Sequence, residues 1–191
     1  MAKIWLQKHD VSLDKKVQLL DSLVLSVMFY NSSCWGLRKV DSDSLDSFHR
    51  QLLKKICNIF YLNTISSKKL YKLTKTRRAS IRVMESRWKF FGHALRLPKD
   101  TPPQQSMSYY FTNLNNTKFR GAKRTTIVTT LQADIKRAKD KFQHFQINSL
   151  ECIEDLIKIR QIASDRKLWR TITKSIINAA EAEYQDDYTS D

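Results

Sequence analysis

Apolar residues recur along most of this chain at intervals of three and four, the spacing of helices that each bury one side. Ser12, a residue type favoured at helix N-caps, is followed by Leu13, Val17, Leu20, Val24 and Val27 in that rhythm, predicting a helix over 12–30. Asn31-Ser32-Ser33 breaks it, and Trp35-Gly36 reads as a turn with an aromatic anchor. The Asp41–Ser44 cluster opens a second helix, 44–59, with Leu45, Phe48, Leu52, Ile56 and Ile59 as its stripe and Arg50, Lys54 and Lys55 off it. A short helix from Ser67 to Thr74 offers Leu70 and Leu73, and a longer one over 80–97 has Ile81, Met84, Trp88 and Leu95 on its apolar side. Pro98, Pro102 and Pro103 end that helix and begin a linker, within which Met107–Phe111 reads as a short strand or extended packing piece and Asn113–Thr117 as a loop. Three more helices are expected over 126–143, 150–162 and 165–183. Their apolar faces are Ile127, Leu131, Ile135, Ala138 and Phe142, then Ile153, Leu156 and Ile157, then Leu168, Ile172, Ile176 and Ala180.

This pattern divides the chain into a helical unit at 1–97, a linker or irregular segment at 98–123, a C-terminal helical unit at 124–183 and an acidic tail at 184–191. Composition narrows the fold class to all-α. Three Gly and three Pro in 191 residues are too few for the tight turns of a β sandwich or barrel. Gly36, Gly92 and Gly121 stand too far apart to form a Gly-rich phosphate loop. The most apolar run, Leu19 to Tyr30, contains Asp21 and falls short of the roughly 20 residues that a membrane span requires, so no membrane association is expected. Lys3, Lys8, His9 and Asp10 interrupt what would be a signal-peptide core. Cys34, Cys57 and Cys152 form no disulfide framework and no metal-ligand spacing with His9, His49, His93 or His144, so neither metal nor cofactor is expected. Scattered thiols fit a reducing compartment, cytoplasmic or nuclear.

Charge changes the picture most. There are 34 Lys and Arg against 19 Asp and Glu, a net charge of +15. Between Ser66 and Arg96 lie Lys68, Lys69, Lys72, Lys75, Arg77, Arg78, Arg82, Arg87, Lys89 and Arg96, with Glu85 as the only acid. A second basic stretch runs from Lys118 to Lys141 and includes Arg120, Lys123 and Arg124, whereas the last fifty residues are acidic on balance. On the 80–97 helix, Arg78, Arg82, Lys89 and Arg96 are offset by four and seven, which lines them on one face away from Trp88 and Leu95. Such a stripe can neutralise phosphates and release their counterions. The competing reading is a solvated helix face, which would call for acidic partners that the stretch almost wholly lacks.

Catalytic patterns are sparse. Tyr184-Gln185-Asp186-Asp187 matches the Tyr-x-Asp-Asp string of polymerases whose carboxylates hold metal ions. It follows a helical run rather than a strand, and no upstream strand supplies a third carboxylate. The expectation is a coincidental acidic tail and a chain that is no enzyme on its own.

Several longer segments resemble the thumb and post-thumb region of non-LTR (LINE-type) retrotransposon endonuclease–reverse transcriptases. Ser12-Leu13-Asp14-Lys15-Lys16 through Leu25-Ser26-Val27-Met28-Phe29-Tyr30, then Cys34-Trp35, is similar to the family's Lys-rich helix, Ser-Val-Leu-Leu-Tyr string and following Trp. Leu45-Asp46-x-Phe48-x-Arg50-x-Leu52-x-x-x-Ile56 resembles the next helix. Ile65-Ser66-x-x-x-Leu70-Tyr71 and Arg87-Trp88-x-Phe90-Phe91-Gly92-His93-Ala94-Leu95-Arg96 resemble the post-thumb segment. Gly121-x-x-Arg124-Thr125-Thr126 and Ala163-x-Asp165-Arg166-x-x-Trp169-Arg170 are similar to the closing segments. Cys34 stands where the family commonly has an acidic residue, and the endonuclease, fingers and metal-binding palm have no counterpart here. The resemblance implies a thumb-like helical bundle, a Pro-bearing linker and a second basic helical unit from a transposable element. Its partner would be nucleic acid: RNA template, RNA–DNA hybrid or target DNA. The expected contact residues are Lys68, Lys69, Lys72, Arg77, Arg78, Arg82, Lys89, His93, Arg96, Lys118, Arg120, Lys123 and Arg124, mainly on phosphates and sugars. His93 could instead hydrogen-bond a backbone carbonyl or ligate a metal. The alternative to nucleic acid is an autonomous basic adaptor that binds acidic protein partners.

Overall fold

The computed structural model of the protein describes residues 11–60, 63–113, 125–137 and 150–186, and every regular element among them is a helix. We number these α1 (Leu13–Leu19, prolonged through Leu20–Leu25 to Ser26–Met28), α2 (Lys39–Ile56), α3 (Ser67–Thr74), α4 (Ala79–Leu95), α5 (Pro102–Asn113), α6 (Ile127–Arg137), α7 (Ile153–Ser164) and α8 (Arg166–Asp186). No described helix is long and apolar enough to cross a membrane. The chain forms two compact units, one drawn from Met1–Ser32 and Lys39–Val83, the other from Ser33–Arg38 and Met84–Asp191. The division falls inside α4, whereas the proline run had suggested Pro98.

In the first unit α1, α2 and α3 pack on one another around Val17, Leu20, Leu25, Leu53, Ile56 and Leu70. Over Leu20–Leu25 the turn of α1 widens to a π-helix. A π turn takes in an extra residue, which moves the inward face on by one position. Leu25 is therefore fully buried and Val24 partly so, while Val27, which the spacing assigned to the core, is 73 % exposed.

Helix α2 begins at Lys39 rather than near 44. It closes with Asn58 in the left-handed region (φ 55°), the N–H groups of Asn58 and Ile59 reaching back to the carbonyls of Lys55 and Lys54. Its inward face is Asp46, His49, Leu53 and Ile56. The expected stripe is thus rotated, and Phe48 stands 47 % exposed. The rotation has a polar cause. Asp46 accepts the Ser80 backbone N–H and the Ser80 hydroxyl, both at 2.8 Å, and so satisfies the first turn of α4, which has no capping side chain of its own just upstream. Helix α3 has the expected bounds, opened by Ser66, whose hydroxyl accepts the Lys69 N–H.

The second unit holds the rest of α4 with α5 to α8; α5 packs on α7, and α6 and α7 pack on α8. Pro102 and Pro103 open α5 instead of a linker, and Met107–Phe111 is helical, not extended. Proline lacks the N–H that a first helical turn would leave unsatisfied, and its fixed φ suits that position. The core is centred on Trp88, Phe91 and Trp169, whose ring centroids lie 5.6–6.1 Å apart. Trp169 lies directly over Gly92 and donates its indole N–H to the Trp88 carbonyl at 3.1 Å. Asp134 of α6, also buried, accepts from the Arg87 guanidinium at 2.8 Å and the Trp88 indole at 3.0 Å. A second Arg87 nitrogen donates to the Trp35 carbonyl, which ties 33–38 to this unit.

The expected helices over 150–162 and 165–183 are α7 and α8, shifted by a few residues at their ends. Tyr184 to Asp186 form the end of α8 rather than a hairpin turn. The expected helical residues 138–143 and Asp187 lie outside the described residues.

Candidate nucleic-acid interface

The side chains expected to contact nucleic acid fall into three environments. Lys68, Lys69 and Lys72 are exposed on α3 and have no ion-pair partner among the described residues. Lys68 and Lys72 are spaced by four, so they share one side of the helix, and Lys75 follows it as a left-handed C-cap (φ 53°). Lys75 lies 3.5 Å from Asp14, a pair so solvated that it restrains the lysine little.

Arg78, just ahead of α4, and Arg82, in its first turns, are committed inside the first unit. Arg78 is only 13 % exposed, sits 3.7 Å from the Asp46 carboxylate and lies over the Tyr71 ring. Arg82 is ion-paired with Asp21 of α1 and lies over the Phe29 ring at 4.9 Å. The expected four-residue stripe is therefore not a row of unpaired charges. The acids come from residues 21 and 46, far from the stretch in sequence. Further along α4, Lys89 is exposed beside Glu85 at 2.7 Å; Arg77, ahead of the helix and also exposed, is engaged within the chain. Lys118, Arg120, Lys123 and Arg124 lie outside the described residues.

A third environment lies in the second unit. Arg96 donates to the Ala163 carbonyl at 3.0 Å, satisfying one of the last carbonyls of α7. Burial, and then the nearby Arg166 and Arg170, pull its guanidinium below the usual arginine range. Arg166 and Arg170 are exposed, one turn apart on α8, and have no ion pair among the described residues. His93 is exposed on α4 one turn before Arg96. The sequence reading missed Arg166 and Arg170 because it averaged charge over the last fifty residues. The signal was present locally: Arg166 to Lys174 contains Arg166, Lys167, Arg170 and Lys174 and no acid, and the acids cluster before and after.

Beneath the Arg82–Asp21 pair, His49 is fully buried and neither ring nitrogen has a hydrogen-bond partner among the described residues. Burial first, then the Arg82 charge, push its pKa down to about 4. An unfolded histidine titrates near 6.5, so below that pH the unfolded chain takes up a proton that the folded chain refuses. Stability is thus lost as pH falls from about 6.5 towards 4, by about 2 kcal/mol at pH 5. Urea unfolding at pH 7.5 and pH 5 should show this loss in the native chain and a smaller one in His49→Phe; equal losses in the two would mean that His49 is not held neutral.

Among the described residues no group of three or more His, Cys, Asp or Glu side chains is arranged to hold a metal ion. Comparison with known proteins finds no matching family model, no matching curated protein and no matching solved structure.

Proposed function

We propose that this chain binds the phosphate backbone of RNA or DNA, as the thumb and post-thumb part of a LINE-type reverse transcriptase that it resembles in sequence. One observation carries the reading: Lys68, Lys69 and Lys72 are exposed on α3 without acidic partners among the described residues, in a chain of net charge +15. Lysines on a short exposed helix suit backbone contacts, which position a duplex without reading its bases. Each such contact releases condensed counterions, so affinity falls steeply with salt. The reading includes no catalytic step for this chain.

The triple change Lys68→Gln, Lys69→Gln and Lys72→Gln tests it. Binding to an RNA–DNA hybrid should weaken, and the slope of log K against log salt should shrink by roughly 3, since each lost contact accounts for about 0.9 of slope on duplex DNA. The loss should be the same for two hybrids of unrelated sequence. A chain that does not bind hybrid even at low salt would overturn the proposal and turn the basic surface towards acidic protein partners. An unchanged slope in the folded variant would remove α3 from the interface.

A further inference from the structure

The distribution of arginine partners sets one cluster apart. Arg82, Arg87 and Arg137 each have a carboxylate within reach, on Asp21, on Asp134 and on Asp134 with Glu183 respectively. Around Arg96 the arrangement is reversed. Arg96 is held at the end of α7 by its bond to the Ala163 carbonyl, and α8 begins at Arg166, with only Ser164 and Asp165 between. Arg166 and Arg170 share one side of α8, a turn apart. The acid at this corner is Asp165, and its carboxylate accepts the backbone N–H groups of Lys167 and Leu168. It caps α8 rather than pairing with a guanidinium.

Arg166 and Arg170 lie near enough for their charges to act on the Arg96 guanidinium, and none of the three has an ion-pair partner among the described residues. Such like charges repel one another, an arrangement that a bound anion relieves. Guanidinium groups carry paired N–H donors whose geometry matches the oxygens of a phosphate. We infer that Arg96, Arg166 and Arg170 form a phosphate-binding site in the second unit, and that its occupant is a backbone phosphate of nucleic acid. The occupant rests on the proposed function; the site does not. Arg96 is the fixed member, since its bond to Ala163 orients it, and Arg166 and Arg170 are the exposed members that close on the anion.

The double variant Arg166→Gln, Arg170→Gln in the full chain tests both parts, once circular dichroism shows native helicity. Two probes are used: an RNA–DNA hybrid across a salt series, and pyrophosphate at ionic strength held constant with NaCl. The salt slope for the hybrid should shrink by roughly 2 in the variant. Pyrophosphate should raise the melting temperature of the native chain and leave the variant unmoved. Without pyrophosphate the variant should melt no lower than the native chain, because the repulsion has been removed.

Equal stabilisation of both proteins by pyrophosphate would overturn the site, even where hybrid binding through α3 persists. Stabilisation of the native chain only, with an unaltered hybrid slope in the variant, would keep the anion site and overturn nucleic acid as its occupant. A native chain that responds to pyrophosphate but binds no hybrid would overturn the proposed function itself.

Discussion

Replacing Asp134 with alanine should lower the stability of the chain by about 3–5 kcal/mol, because it strands a buried cation. Asp134 is the acid that meets the buried Arg87 guanidinium, and it also accepts the Trp88 indole N–H. With the carboxylate gone, Arg87 keeps, among the described residues, its longer bond to the Trp35 carbonyl, and the indole loses the Asp134 acceptor. Asp134→Asn should cost less, since an amide oxygen can still accept from Trp88 while the charge is lost. The double change Asp134→Leu, Arg87→Met should recover much of the loss, because the damage lies in the orphaned charge rather than in the worth of the pair. Urea denaturation of the four proteins decides the matter. A loss below about 1 kcal/mol in Asp134→Ala would mean that water reaches Arg87 and that the pair is not buried in solution.

The second large effect is at Gly92. In a free helix, alanine is preferred to glycine by about 1 kcal/mol, so a naive expectation is that Gly92→Ala stabilises. Here a Cβ would stand 2.1 Å from the Trp169 indole nitrogen and 2.6 Å from the adjoining ring carbon. The ring is wedged against Trp88 and Phe91 and cannot simply swing away. Displacing it also breaks the indole bond to the Trp88 carbonyl. Overpacking and the lost bond together should outweigh the helix preference and leave the variant about 3 kcal/mol less stable. The sign should reverse once the indole is removed: in a Trp169→Leu background, Gly92→Ala should be neutral or stabilising. Destabilisation of equal size in both backgrounds would show that something other than the indole occupies the space over Gly92.

How far the sequence disclosed this arrangement depended on where each residue's partner lay. Apolar spacing reports a residue's neighbours on its own helix, and it located α3, most of α4 and the inward faces of α6 and α8. It went astray where the helix itself departs from 3.6 residues per turn, as in the π stretch of α1, which sends Leu25 inward and Val27 out. It also misjudged α2, because a count of apolar residues treats Asp46 and His49 as outward. Asp46 turns inward because the N-terminus of α4 needs an acceptor, and that need arises from residue 80. Arg78 and Arg82 similarly look unpaired in the sequence, since their acids stand on other helices. The prolines at 102 and 103 read as breakers in the sequence because a proline both stops one helix and starts another, and only the residues after it tell which. Conversely, Arg166 and Arg170 were visible as charges but gained significance only beside Arg96, which lies on another helix.

Helix α4 gives its first turn to one unit and the remainder to the other, and this constrains how the chain can be inherited. A recombination event that joined new sequence at Pro98 would carry away Arg87, Trp88 and Gly92. The later residues would retain an Asp134 carboxylate without the buried Arg87 guanidinium and a Trp169 ring without its seat. A junction at Val83 would instead leave Asp46 capping a stub of one turn or so, too short to hold a helix in water. Neither half is a portable cassette. A junction anywhere along this helix costs one unit or the other a partner that its packing uses.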